Sequence, residues 1–230
     1  MTEFDEQLRE INTDGDDVEV HNDFVRRPQM LPFIGEKYTS QHKKLLIIGE
    51  SHYLPDEADD ELRTTQWYYT SDSEMDEKTL DWINTRSKCI CEKWEKGHSI
   101  YRNANKVMQG VGNEEANMFK YVAYYNYFQR PAYPKGEGFQ SVCEPMDIDV
   151  AKDVFCGIIG IIKPDCIAVL SKYAWENIQR IESLPLKIQI DFFPHPASSW
   201  WNRPNYLYKN KILTGKEKFR AFLVDNEAFK

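Results

Sequence analysis

The chain has 230 residues, of which 41% are hydrophobic, enough for one large folded domain with a sizeable core. Its formal net charge of −8 disfavours broad electrostatic binding to nucleic acid, which depends on Lys and Arg at phosphates. The charge is uneven, however, because the region from Lys187 onward contains six Lys and two Arg against four acidic residues. No run of 18 apolar residues is present, so the sequence predicts no membrane span.

Residues 1–23 are polar and acidic and are predicted to form a flexible segment, followed by a single domain over residues 24–230. The first ten residues lack an apolar run, so we expect no signal peptide. Five cysteines without such a signal favour free thiols in a reducing compartment, which indicates a cytoplasmic protein. Cys89 and Cys91 have no second cysteine pair to complete a zinc set, so we expect no metal.

The first strong element is Lys44–Tyr53, with the sequence KLLIIGESHY. Its four consecutive apolar residues predict a strand buried on both faces, as in a parallel sheet. Gly49 allows a sharp turn or a close approach of another group, and the four residues after it can all carry chemistry. Open α/β sheets place their sites just past the carboxyl ends of such strands.

Beyond this strand, Leu54–Glu77 is a long polar stretch with an aromatic cluster at residues 67–69, and long loops near sites are often functional. Thr79–Lys96 has helical spacing of its apolar residues, and Ser99 is a candidate N-cap for a helix through Met108. Further strands are predicted at Met118–Phe128, Cys166–Leu170 and Lys187–Phe193. Further helices are predicted at Asp147–Ile162, Tyr173–Ile181 and Lys216–Phe229.

This alternation predicts βαβ units and a parallel sheet covered by helices on both faces. Polar groups lie at the ends of three of the predicted strands, at Glu50–Tyr53, at Asn126 and at His195. Because parallel strands end at the same edge of a sheet, we expect these groups to share one cleft.

Four segments, in order, resemble the uracil-DNA glycosylase superfamily: IIGESHY, YVAYYNYFQRP, KPDCIAVLSKYAWENI and FFPHPASSWW. The resemblance covers Lys43–Arg203, most of the chain. It implies a three-layer α/β/α sandwich around a short, mostly parallel central sheet. It also implies a protein that binds a base flipped out of DNA, such as uracil, and hydrolyses its N-glycosidic bond.

The resemblance assigns roles position by position. Asn126 would read the Watson–Crick edge of the base, because an amide offers both a donor and an acceptor. His195 would hydrogen-bond the base oxygen on which negative charge develops. Tyr53 takes the place of a tyrosine that excludes the thymine methyl group. One residue of the cluster at 67–69 (Trp67, Tyr68 or Tyr69) would stack on the base. The loop that contacts DNA would contain Ser198, Ser199, Trp200, Trp201 and Arg203.

The sequence also departs from the family. Ser51 stands where the best-known branch has an aspartate that positions water, and serine is a poor base. Glu50 is the nearest carboxylate and, with help from His52, would position the water instead. The candidate catalytic residues are therefore Glu50, Ser51, His52 and His195. Gln129 replaces the cysteine of the iron–sulfur branch, so we expect no cluster and no other cofactor.

Two alternatives remain open at this stage. The first is a catalytically inactive member of the fold that binds nucleic acid, a nucleobase or a protein, which Ser51 and the acidic composition favour. The second is a different hydrolase, because Gly49-Glu50-Ser51-His52 also resembles the Gly-Glu-x-His of erythromycin-esterase-like enzymes. Adjacent Ser and His residues rarely face each other, which weighs against a Ser–His catalytic pair in that second alternative. The oligomeric state has no signal in the sequence.

Overall fold

A computed structural model describes residues 3–11, 23–70, 75–91, 93–95, 98–112, 115–132, 138–182, 184 and 187–230. Most of the acidic N-terminal segment, for which we predict flexibility, lies outside these residues.

The central sheet has five strands in the order β1-β3-β2-β4-β5. Their bounds are β1 Phe33–Ile34, β2 Leu45–Gly49, β3 Ala123–Asn126, β4 Cys166–Val169 and β5 Gln189–Phe192. Strands β2 to β5 are parallel, and only β1 pairs antiparallel, at the edge. The strand predicted from the apolar run Leu45–Ile48, which leads into Gly49, is confirmed as the central β2, whose five residues are all buried.

The described α-helices lie before, between and after the strands. They are α1 Asp5–Arg9, α2 Asp23–Arg26, α3 Glu77–Trp82, α4 Thr85–Ile90, α5 Ser99–Gln109, α6 Pro145–Ile162, α7 Lys172–Ile178 and α8 Gly215–Asp225. A hairpin of β6 Tyr206–Tyr208 and β7 Lys211–Leu213 lies apart from the main sheet. In the described part of the chain, no helix has the length and apolar character needed to cross a membrane.

Alternate residues of the strands supply two separate hydrophobic clusters, as the period of two in a strand requires. Leu46 and Ile48 of β2 join one cluster with residues of α1, α6 and α7. Leu45 and Ile47 join the other, with residues of α5 and α8. The structure is therefore a mixed α/β arrangement whose mostly parallel sheet is buried on both faces, which is compatible with three α/β/α layers.

Two sequence predictions are corrected. Met118–Tyr121, predicted as part of a strand, is a 3-10 helix in which the Asn117 side chain accepts a hydrogen bond from the Phe119 N–H, so the strand begins only at Ala123. The single helix predicted over Thr79–Lys96 is two short helices: the first ends at Trp82 with Ile83 as its C-cap, and Asn84 caps the second by accepting from the Ser87 N–H. Neither β1 nor the β6–β7 hairpin was predicted.

A buried ion pair links the end of β3 to the start of α6. The Arg130 guanidinium donates two hydrogen bonds to the Asp147 carboxylate, at 2.8 and 2.5 Å, and both side chains are almost fully buried. Asp147 also accepts from the Tyr68 hydroxyl at 2.7 Å and from the Glu144 N–H at 2.8 Å, which caps α6. Arg130 donates further to the carbonyl oxygens of Arg63 and Val142.

We expect Asp147→Asn to lower the free energy of unfolding by about 3–5 kcal/mol, because it leaves the Arg130 charge buried without its partner. Urea denaturation measures the change. Glu57→Gln is the matched control, since Glu57 and Lys78 form an ion pair at 2.8 Å in which both side chains are exposed, at 74% and 56%. That loss should stay within about 1 kcal/mol. Equal losses in the two variants would contradict the importance of the buried pair.

Candidate functional site

A cavity of about 400 Å³ lies at the carboxyl ends of the parallel strands. Glu50 follows β2, Asn126 ends β3 and His195 follows β5, and all three line this cavity. The volume falls within the range of small-molecule sites. The sequence prediction that three distant polar segments meet in one cleft is therefore confirmed as geometry.

Asn126 is held against the backbone of the neighbouring strand. It lies opposite Gly49 in the parallel register of β2 and β3, and a Cβ at Gly49 would approach the Asn126 Oδ1 to 2.1 Å. The Tyr124 hydroxyl donates to the same oxygen at 3.0 Å, and it is itself hydrogen-bonded to Tyr101. Within the described chain the Asn126 Nδ2 makes no hydrogen bond, so the amide keeps a free donor for a ligand.

His195 is fixed as a neutral imidazole with a defined tautomer. Its Nδ1 accepts a hydrogen bond from the Ala197 N–H at 3.2 Å, so Nδ1 carries no proton and the Nε2 carries the N–H. Burial lowers the pKa of His195, which the negative charge of Glu50 opposes only in part. His195 can therefore donate one hydrogen bond from Nε2 without carrying a charge.

The Glu50 carboxylate is positioned by two donors from different parts of the chain. Its Oε1 accepts from the Phe139 N–H at 2.8 Å, and its Oε2 accepts from the Ser171 hydroxyl at 2.5 Å. Ser171 is also the N-cap of α7, where it accepts from the Ala174 N–H. Because a carboxylate has about four lone-pair directions, each oxygen keeps capacity for one more hydrogen bond.

The other residues of the 50–53 loop also line the cavity. His52 is 6% exposed, and its Nε2 lies 3.3 Å from the Thr85 hydroxyl. Burial lowers the pKa of His52 to about 4, so it is uncharged at neutral pH. Ser51 is half-buried, and within the described residues it has no hydrogen bond to His52. This weighs against a Ser–His nucleophile. Tyr53 is 38% exposed. Partial burial and, to a smaller extent, the negative charge of Glu50 raise the pKa of its hydroxyl.

A polar and aromatic wall that the sequence prediction missed completes the cavity. It comes from α3 to α5 and comprises Asp81, Trp82, Lys88, His98 and Tyr101, together with Tyr124 of β3. Lys88 and Asp81 form an ion pair at 2.8 Å. The pKa of His98 is lowered mainly by burial and, to a smaller extent, by the positive charge of Lys88. Trp82, at 41% exposed, offers an aromatic surface at the cavity. In the sequence, Trp82 stands out only as a tryptophan within a predicted helix.

The aromatic cluster at 67–69 does not supply this wall, and that prediction is wrong. Trp67 and Tyr68 are fully buried, with the Arg27 guanidinium 3.8 Å from the Trp67 ring centre. The Tyr68 hydroxyl is engaged by Asp147. Tyr69 is exposed but does not line the cavity. Trp67 and Tyr68 instead fill the core beside α6.

The predicted DNA-contacting loop begins beside His195 and forms a short 3-10 helix at Ser199–Asn202. Trp200 is 47% exposed, and the Arg203 guanidinium lies 5.8 Å from its ring centre. Ser199 is exposed, and among the described residues the buried Ser198 hydroxyl has no hydrogen-bond partner. Trp201, by contrast, is only 3% exposed and packs near Phe219 of α8, so it belongs to the core. The prediction that Trp201 contacts DNA is therefore wrong.

No protein-family model matches the sequence, and a search of curated proteins found no significant match. In the described part of the chain, no group of three or more His, Cys, Asp or Glu residues could hold a metal ion.

We expect Gly49→Ala to destabilise the protein by about 1–3 kcal/mol, because the new methyl group would overlap the Asn126 amide and the Tyr124 hydroxyl. Thermal and urea unfolding measure this. Gly160→Ala is the control: it lies in α6 with nothing within 4 Å of the position that a Cβ would take, and it should stabilise the helix by about 0.5–1 kcal/mol. The same sign of change at both glycines would refute the close contact.

His52 should make stability depend on pH. With its pKa at about 4 in the folded protein and 6.5 as the ordinary value, only the unfolded chain binds the proton between these values. Stability is therefore lost as pH falls from about 6.5 toward 4, by about 2 kcal/mol at pH 5. Urea unfolding of His52→Gln between pH 7 and 5 should lack this loss. His42→Gln, at an exposed position, should retain it. An unchanged pH dependence in His52→Gln would rule out the buried neutral state.

Proposed function

We propose that the protein is a DNA glycosylase-like enzyme that binds a flipped uracil, or a related damaged base, and hydrolyses its N-glycosidic bond. The observation that carries the proposal is the meeting of Glu50, Asn126 and His195 in one cavity at the carboxyl ends of β2, β3 and β5. The finer fold that goes with it is a three-layer sandwich of the uracil-DNA glycosylase type. The strand order and the four resembling sequence segments support that assignment.

Asn126 would select the base. The free Nδ2 donates to a carbonyl oxygen of a pyrimidine, and Oδ1 accepts from the adjacent ring N–H through the lone pair that Tyr124 leaves open. Cytosine presents the opposite pattern at these two positions, so an amide held in this orientation disfavours it. Tyr53, beside Glu50 in the loop, would limit the space for a methyl group.

Bond cleavage would place negative charge on the base and positive charge on the sugar. The C1′–N1 bond breaks with its electron pair on the base, and the Nε2–H of neutral His195 stabilises the oxygen that gains charge. The Glu50 carboxylate faces the developing sugar cation and orients a water molecule. The water oxygen bonds to C1′, and its proton passes to the carboxylate.

The loop at Ser198–Arg203 would contact DNA around the flipped nucleotide. Exposed Trp200 would fill the gap left in the base stack, and Arg203, near its ring, would contact a phosphate. Stacking on such an aromatic is worth about 1–3 kcal/mol, comparable to the cost of unstacking one base. The five free thiols fit a protein of a reducing compartment such as the cytoplasm.

One observation favours a second candidate, a nucleic-acid or nucleobase binding module without hydrolysis. Both Glu50 oxygens already accept hydrogen bonds, from Phe139 and Ser171, which leaves fewer lone pairs to hold an attacking water. Ser51 offers no replacement carboxylate. Such a module would bind uracil-containing DNA, more weakly as salt rises, without releasing free base.

The test is the release of free base from single- and double-stranded oligonucleotides that contain one uracil. We expect release by the wild type, slower by about 10²–10³-fold in His195→Ala and by about 10²–10⁴-fold in Glu50→Gln. Glu61→Gln, the same change at an exposed carboxylate, should behave as wild type. Absence of release above the His195→Ala background would exclude the enzyme, and retained uracil-dependent binding would then favour the module.

A further inference from the structure

A second cavity, of about 520 Å³, lies between α5, the start of α8 and the 3-10 helix at Ser199–Asn202. We call it the α5–α8 groove. Helix α5 contributes Asn103 and Lys106, helix α8 contributes Lys216 and Arg220, and the 3-10 helix contributes Asn202. The groove thus combines three cationic side chains with two amides, in a protein whose net charge is −8.

The cations of the groove are available to an external anion. Among the described residues, Lys106 and Lys216 have no side-chain hydrogen bond or ion pair, and Arg220 donates only to the Gly110 carbonyl at 3.2 Å. Glu217 also lines the groove, but its carboxylate accepts from the Thr214 N–H and hydroxyl, at 2.8 and 2.7 Å, in the cap of α8. The local excess of positive charge therefore persists.

The groove adjoins the candidate site through shared elements. Ile100 and Tyr101 of α5 line the site, and one turn further along the same helix Asn103 lines the groove. The Asn103 side chain donates to the Pro196 carbonyl at 2.8 Å, directly after His195. A chain leaving the site past residues 195–197 would therefore meet the groove next.

We propose that the α5–α8 groove holds phosphates of the DNA strand that continues from the nucleotide in the candidate site. This inference rests on the proposed function, because it takes the occupant of the site to be part of a DNA strand. Lys106, Lys216 and Arg220 neutralise the phosphates, and Asn103 and Asn202 offer amide donors beside them. A positively charged groove beside a base pocket is how single strands are held without sequence preference.

The test compares two variants of equal charge. Lys106→Gln/Lys216→Gln removes two groove cations. Lys152→Gln/Lys187→Gln removes two exposed lysines, from α6 on the other face of the sheet and from the segment before β5. Binding of a single-stranded oligonucleotide of about 12 nucleotides with one uracil is measured at several salt concentrations. The groove variant should lose about tenfold or more in affinity, and its slope of log K against log salt should shrink by about 1.4.

The control pair should keep both the affinity and the slope close to wild type. Equal losses in the two double variants, or none in the groove variant, would overturn the proposal. Release of base is measured in parallel, so that the two proposals fail separately. One outcome is that the groove variant loses affinity while the wild type neither releases base nor prefers uracil over thymine. This outcome supports the groove and refutes the base site. Uracil release with unchanged strand affinity in the groove variant refutes the groove alone.

Discussion

The candidate site depends on one close approach between two neighbouring parallel strands. Gly49 and Asn126 end β2 and β3 at the same register position, and the Asn126 amide occupies the space that any Cβ at Gly49 would need. Glycine here is thus a steric requirement. The same contact fixes the direction of the amide, because the Tyr124 hydroxyl donates to its oxygen from the β3 side. The sheet register and the orientation of the Asn126 amide therefore depend on the same contact.

A second network holds the loops around that point. The Arg130–Asp147 pair joins the chain after β3 to α6, and Arg130 also binds the Val142 carbonyl just after the 3-10 helix at Phe139–Ser141. The first residue of that helix supplies the N–H that holds Glu50, and its ring stacks on Phe128 at 4.4 Å between ring centres. The position of the Glu50 carboxylate is therefore tied to a fully buried ion pair that does not itself line the cavity.

The elements that the sequence predicted well are those set by local patterns. Continuous apolar runs predicted β2 and β4. Because β2, β3 and β5 are parallel, the polar residues at their carboxyl ends lie along the same edge of the sheet. What the sequence did not reveal depends on tertiary contacts. Trp82 and His98 reach the cavity only through the packing of short helices, and Trp201 is buried by α8 although its neighbour Trp200 is exposed. The two-residue strand β1 exists because β3 lies beside it.

The charge distribution of the site agrees with the reaction proposed for it. The proposed reaction develops an anionic base and a cationic sugar a few ångströms apart. A positively charged histidine close to the sugar would oppose the positive charge that develops there. His195 stays neutral because its Nδ1 accepts a backbone hydrogen bond and burial lowers its pKa, and its Nε2–H is the donor that we propose for the base oxygen. In the proposed reaction, the negative charge of Glu50 would then act on the sugar without an adjacent imidazolium to cancel it. The cations proposed to bind phosphates lie outside the cavity, on α5 and α8, where they would hold the strand without opposing the sugar cation.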